Sequence, residues 1–197
     1  MKMKKMSGML IAMCLILLSG CSGSNHLALD DIEADTLYVS KEGSLELASV
    51  ETFGEEYYSK KELKDFIEEA GDTYTSENGE DTVKMEDFFV KEDTAKVLLS
   101  FDSADTYSSF QGESLQFLTS EELHGKMVLP EQFTSAADGK KVDKDTVLAE
   151  KDLKYVVVNG TLDIQVDGVI KYYSEAMIIS DTNVHTTGED ISIVIFS

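Results

Sequence analysis

The sequence predicts an α+β fold: antiparallel sheet, one main early helix and a C-terminal β-meander. Three observations carry that expectation. Residues 59–78 hold a long apolar stripe at helical spacing, opened by Ser59-x-x-Glu62 and closed by Asn78-Gly79. Short runs rich in Val, Ile, Leu, Tyr and Phe flank it, bounded by Gly, Asn and Asp. Asn159-Gly160 and Asp167-Gly168 punctuate the last strands, and both dipeptides suit type I′ hairpin turns.

The chain begins with a positive cluster, Lys2, Lys4 and Lys5, followed by an unbroken apolar run from Met9 to Leu18. Small residues follow the run. This is the pattern of an export signal. The run covers residues 9–18, too short for a membrane span, which needs about 20 residues. Leu18-Ser19-Gly20-Cys21 resembles the lipobox of bacterial lipoproteins. That resemblance implies cleavage of residues 1–20, a diacylglyceryl group on the Cys21 thiol, and Cys21 as the new N-terminus. Each buried methylene contributes about 0.8 kcal/mol, and two chains anchor stably where one is marginal. The expected location is therefore the cell membrane, lipid-anchored on its extracytoplasmic side.

Residues 21–35 read as the lipidated cysteine and a flexible acidic tether. Ser22-Gly23-Ser24-Asn25 and then Asp30, Asp31, Glu33 and Asp35 favour a solvated spacer, with His26 within it. Residues 36–197 are expected to form a single α+β domain. Thr36–Val39 and Leu45–Phe53 read as a hairpin across Lys41-Glu42-Gly43-Ser44. In the helix, Leu63, Phe66, Ile67, Ala70 and Tyr74 form the stripe, expected to be core. Tyr58 and Leu63 are placed for a hydrophobic staple. Gly71 is one possible stop, but Tyr74 continues the stripe and favours Asn78-Gly79.

Thr82–Val90 and Ala95–Phe101 read as a second hairpin. Residues 88–90 are apolar on both faces, which suggests a central strand. Asp102-Ser103 caps a short helix through Phe110, ended by Gly112. Leu115–Leu118 is a strand. Thr119 and Glu122 repeat the capping box before a helical turn that Gly125 ends, and Lys126–Leu129 is strand-like up to Pro130. Residues 131–145 are polar and read as a long loop or subdomain junction. Leu153–Val158, Thr161–Val166 and Val169–Tyr173 then form two hairpins. Met177–Ile179 and Ile191–Phe196 add two strands.

The strand pair with its acidic start, the Y-Y-S-K-K-E-L-K-D-F-I helix, the E-N-G-E turn, and the A-K-V-L-L-S-F strand running into S-A-D-T-Y-x-x-F together resemble lipoproteins of Gram-positive bacteria. That group carries no assigned activity. The resemblance implies a fold and no site residue.

Charge and motifs bound the function. The full chain carries −21, and −24 once the three leader lysines are removed. All basic residues are lysines. Nucleic acid is disfavoured, because phosphate neutralisation needs a basic face. Cys14 leaves with the leader, so after Cys21 no thiol remains for a disulfide, a metal or a nucleophile.

His26, His124 and His185 lack metal-ligand spacing. Asp163, Gln165, Asp167 and Gly168 imitate the front of an EF-hand loop, but position twelve is Ser174, not Glu. Asp138, Asp143 and Asp145 form a second acidic cluster. The sequence contains no G-x-S-x-G, S-x-x-K with K-T-G, G-x-G-x-x-G or P-loop pattern. The expectation is a non-catalytic surface binding or interaction module, without cofactor or resident metal. It is held to the membrane by its N-terminal lipid and faces an envelope protein or small ligand. The alternatives are an envelope hydrolase using a carboxylate pair and a weak divalent-cation binder.

Overall fold

The computed structural model describes residues 26–55, 57–123 and 127–197. The leader, Cys21 and His124 lie outside the described residues. The α+β class is as expected: among the described residues there are three α-helices, one of them the main helix, and thirteen strands.

Local signals set the element ends. Strands β1 (Thr36–Val39) and β2 (Leu45–Thr52) form the expected hairpin, with Leu37 opposite Leu47. Helix α1 runs Lys60–Asn78. The Ser59 hydroxyl accepts the Glu62 N–H, and Gly79 closes the helix at φ 128°, a value that suits glycine. Gly71 sits buried inside α1, so it does not act as a stop. Strands β3 (Val83–Lys91) and β4 (Thr94–Phe101) pair antiparallel. Helix α2 (Ala104–Gln111) is capped by Ser103 and stopped by Gly112 in the left-handed region. The rest of the chain is β5 (Leu115–Thr119), β6 (Gln132–Ser135), β7 (Lys141–Asp143), α3 (Lys144–Ala149), β8 (Lys154–Val158), β9 (Asp163–Val166), β10 (Ile170–Ser174), β11 (Ala176–Ile178), β12 (Asn183–Thr186) and β13 (Ser192–Phe196).

These strands form two sheets. The first has the order β11-β12-β9-β1-β2-β4-β3 and the second β5-β8-β13-β10-β6-β7. All pairings are antiparallel except β1 with β9. The main core lies between the sheets. Leu37, Val39, Leu47, Leu99, Phe101, Ile164 and Val166 come from the first, and Leu115, Val156, Val158, Val194 and Phe196 from the second. Strands β8 and β13 are buried on both faces. Tyr155, Val157, Ile193 and Ile195 point into a second cluster with Phe133 and Val147. Their sequences, Lys-Tyr-Val-Val-Val and Ser-Ile-Val-Ile-Phe, are accordingly almost continuous apolar runs.

Several expectations are corrected. Strands β8, β9 and β10 are not joined as hairpins; they alternate between the second, first and second sheets. Neither Gly160 nor Gly168 has the positive φ that a type I′ turn requires. Gly168 serves close approach instead: a Cβ there would lie 2.6 Å from the Ser197 carbonyl oxygen. Strand β3 is an edge, not central. Its apolar residues are spread over both faces because both are covered. Residues of α1 lie over one face, and Phe89 on the other packs with the N-terminal segment.

Residues 131–145 are not a loop. They form the β6–β7 hairpin on the edge of the second sheet and lead into α3. Residues 127–130 are not a strand. The Thr119–Glu122 box does form, with Thr119 N–H donating to Glu122 Oε2 at 3.0 Å and Glu122 N–H to Thr119 Oγ1 at 3.3 Å, around a turn. Strand β12 was not foreseen.

The spacer expected through residue 35 is packed from His26 onward. Leu27 and Leu29 are buried beside Tyr38, Ala48 and Leu98, on the first sheet's outer face. Lys96 Nζ donates to the carbonyls of Leu29, Asp30 and Ile32. His26 is therefore not a free linker histidine. Its ring stacks on Tyr38 at 4.2 Å and faces Glu46.

Candidate functional site

Helix α1 lies over the inner face of the first sheet next to β3, where the second sheet does not reach. Ile67 and Tyr74 pack onto the main core. The N-terminal half of the helix is less buried, and Phe66 is 69% exposed. The apolar stripe is thus only partly core, which corrects the expectation. Between this half of α1 and the strands lies a cleft of about 410 Å³.

Three stretches build the cleft. Strand β2 and its exit contribute Ser49, Glu51 and Phe53. The turn and helix contribute Tyr57, Tyr58, Glu62, Leu63 and Ile67. Strands β3 and β4 contribute Phe88, Ala95 and Val97. The alternation of β2 and β4 puts every second residue on this face. Phe53 and Tyr58 stack at 4.9 Å, and Tyr57 meets Tyr58 edge-on at 4.8 Å. Tyr58 thus stacks on Phe53, while Tyr58 and Leu63, the expected staple pair, both line the cleft. A side-chain hydrogen bond with Tyr57 raises the Tyr58 pKa above its ordinary value. The lining is mostly apolar with a few polar groups, the composition of small-molecule sites.

A narrower polar recess of about 180 Å³ adjoins it and shares Ser49 and Glu51. Asp35 lines the recess and accepts the Val50 N–H at 2.8 Å. Tyr107 lines it too and donates its hydroxyl to Glu113 at 3.1 Å. Burial, and then the nearby Glu113 charge, push the Tyr107 phenol well above its ordinary pKa. A wider hollow of about 690 Å³ beside residues 119–121 and 148–154 is lined largely by polar and charged side chains.

The sequence-singled residues do not assemble into a site. Cys21 lies outside the described residues, as does His124. His185 sits in β12, inside the sheet rather than at its edge, with Nδ1 2.8 Å from Asp163 Oδ1. Asp163 and Gln165 belong to strand β9, so the EF-hand likeness has no loop behind it. Asp138 pairs with Lys140, whose hydrogen bonds hold its carboxyl below the usual range. Asp143 accepts from Gln132 at 3.0 Å. Among the described residues no group of three or more His, Cys, Asp or Glu is arranged to hold a metal ion. The aromatic cleft was not read from the sequence. The available signal was Phe53 with Tyr57-Tyr58, three rings within six positions of otherwise polar chain.

No family model, no curated protein and no solved structure matches the chain. What the cleft can do is therefore read from its geometry.

Proposed function

We propose that the chain is a cell-envelope lipoprotein whose body is a non-catalytic binding module, taking its ligand in the cleft beside α1. The Lys-rich start, the short apolar run and Leu18-Ser19-Gly20-Cys21 support the lipid anchor and the extracytoplasmic side. Among the described residues no helix is long and apolar enough to cross a membrane. The observation that carries the binding reading is the cleft itself: an aromatic-rimmed apolar hollow of about 410 Å³, within the size range of ligand pockets.

The hydrolase alternative draws less support. Among the described residues, the two carboxylates lining the cleft, Glu51 and Glu62, are both exposed. A general acid at neutral pH needs a desolvated carboxyl, which these positions do not supply.

The test has two arms. Mass spectrometry of the natural product should show a diacylglyceryl group on Cys21; an unmodified Cys21 rejects the anchor. A screen of small aromatic and aliphatic compounds, read by backbone-amide NMR shifts, should perturb residues 49–67 and 95–97 first. Phe53→Ala and Tyr58→Ala should weaken binding about tenfold or more, the loss expected on removing a stacked ring. Hits that perturb only other surfaces reject the cleft as the site.

A further inference from the structure

We propose that the cleft is built for an organic cation: an alkylammonium group, quaternary or protonated, carried on an apolar body. This deepens the binding reading above and rests on it. The first ground is the cluster of rings. Phe53, Tyr57, Tyr58 and Phe88 all line the cleft. An aromatic face carries negative quadrupole charge and attracts ammonium groups, and clustered rings are the usual means of holding alkylated ones. Phe88 already does so. The Lys60 ammonium stands over its ring, 5.9 Å from the centroid. Lys60 is the first residue of α1, where the helix dipole disfavours a positive charge, so the ring holds a cation against an opposing field.

The second ground is charge. Glu51 and Glu62 line the cleft, and Asp35 and Glu113 line the adjoining recess. Lys96 also borders the cleft, but its ammonium lies on the opposite face of the sheet, bound to the carbonyls of Leu29, Asp30 and Ile32. Lys61 and Lys64 are paired with Asp65 and Glu68 along the helix. Among the described residues at the cleft, therefore, two carboxylates, Glu51 and Glu62, stand against the Lys60 ammonium. An anionic ligand would meet both carboxylates, with the Lys60 ammonium offsetting only one of them. A neutral apolar ligand would fit the rings but gain nothing from the acids. A cation with an apolar body uses both.

The experiment compares 3-hydroxyphenyltrimethylammonium with 3-tert-butylphenol, which have the same shape and differ in the charge on one central atom. The purified full chain, in a non-ionic maltoside detergent, is titrated with each and followed by the amide shifts of residues 49–53, 57–67 and 95–97. The cation should bind about tenfold more tightly. Glu51→Gln should weaken the cation severalfold and the neutral probe much less. Lys60→Ala should strengthen the cation, because Phe88 is freed and a competing charge removed. A merely structural Lys60 would not give that sign. Equal or tighter binding of 3-tert-butylphenol overturns the cation assignment and leaves the cleft as a binding site. If neither probe moves the cleft amides at millimolar concentration, the cation assignment also falls; the compound screen above then decides separately whether the cleft binds anything.

Discussion

Glu46→Ala tests how residues 26–34 are held to the body, and through them the length of the proposed tether. Glu46 Oε2 accepts the His26 N–H at 2.8 Å and the Leu27 N–H at 3.1 Å, and Oε1 lies 2.9 Å from His26 Nδ1. The Glu46 side chain is only 12% exposed while that of His26 is 53% exposed, so the acceptor is shielded from water more than its donors are. Hydrogen bonds to a charged acceptor contribute about 1.5–3 kcal/mol each, but the freed donors regain water when the segment opens. A net loss of about 2–4 kcal/mol follows for the open–closed equilibrium. Opposing release, Leu27 and Leu29 are 3% and 4% exposed, and burying each contributes about 2 kcal/mol. The Lys96 contacts also persist. The substitution should therefore loosen the segment without detaching it permanently.

Amide hydrogen exchange is the assay. The Asp31 N–H bonds to the Ala28 carbonyl at 2.9 Å and does not touch Glu46, so it reports opening of the segment rather than the deleted bond. Its protection should fall roughly 30- to 1000-fold, the equivalent of 2–4 kcal/mol. Amides of β13 should keep theirs. Unchanged protection at Asp31 would refute the account. On the proposed anchor the consequence is one of reach. With the segment closed, residues 22–25 alone separate Cys21 from the body, a span of at most about 17 Å. Freed to Asp35, the same chain reaches about 50 Å.

Two further outcomes test the packing. Phe133→Ala should cost about 3–5 kcal/mol in chemical denaturation, because Phe133 is fully buried in the second cluster. Phe66→Ala should stay within about 0.5 kcal/mol, since that ring is 69% exposed; a large loss there would restore the α1 stripe as core. Tyr107 titrates above its ordinary 10.0 in the folded state, through burial first and Glu113 second. The folded protein then keeps a proton that the unfolded chain releases. The stability this confers is full below pH 10 and is lost as pH rises above it. Tyr107→Phe should make the alkaline fall of stability shallower, and identical pH profiles for the two proteins would reject that cause.

Much was determined by the sequence alone. The caps at Ser59 and Ser103 and the stops at Gly79 and Gly112 were legible because capping hydrogen bonds join residues three or four apart. The β1–β2 and β3–β4 hairpins were legible because short turns bring adjacent strands together. The proposed export signal and the likeness around Cys21 are readings of the sequence alone, outside the described residues. Tertiary structure decided the rest. Apolar alternation says that a strand has a buried face, but not which sheet supplies the other half of the core. Val156, Ile164 and Ile170 all enter the same core, yet β8 and β10 reach it from one side and β9 from the other. Strand β12 carries one fully buried apolar residue, Val184, and owes its identity to pairing with β9 and β11. The cleft was hidden for the same reason. Its rings come from residues 53–58 and 88, and they meet only because α1 covers a part of the first sheet that the second sheet leaves open.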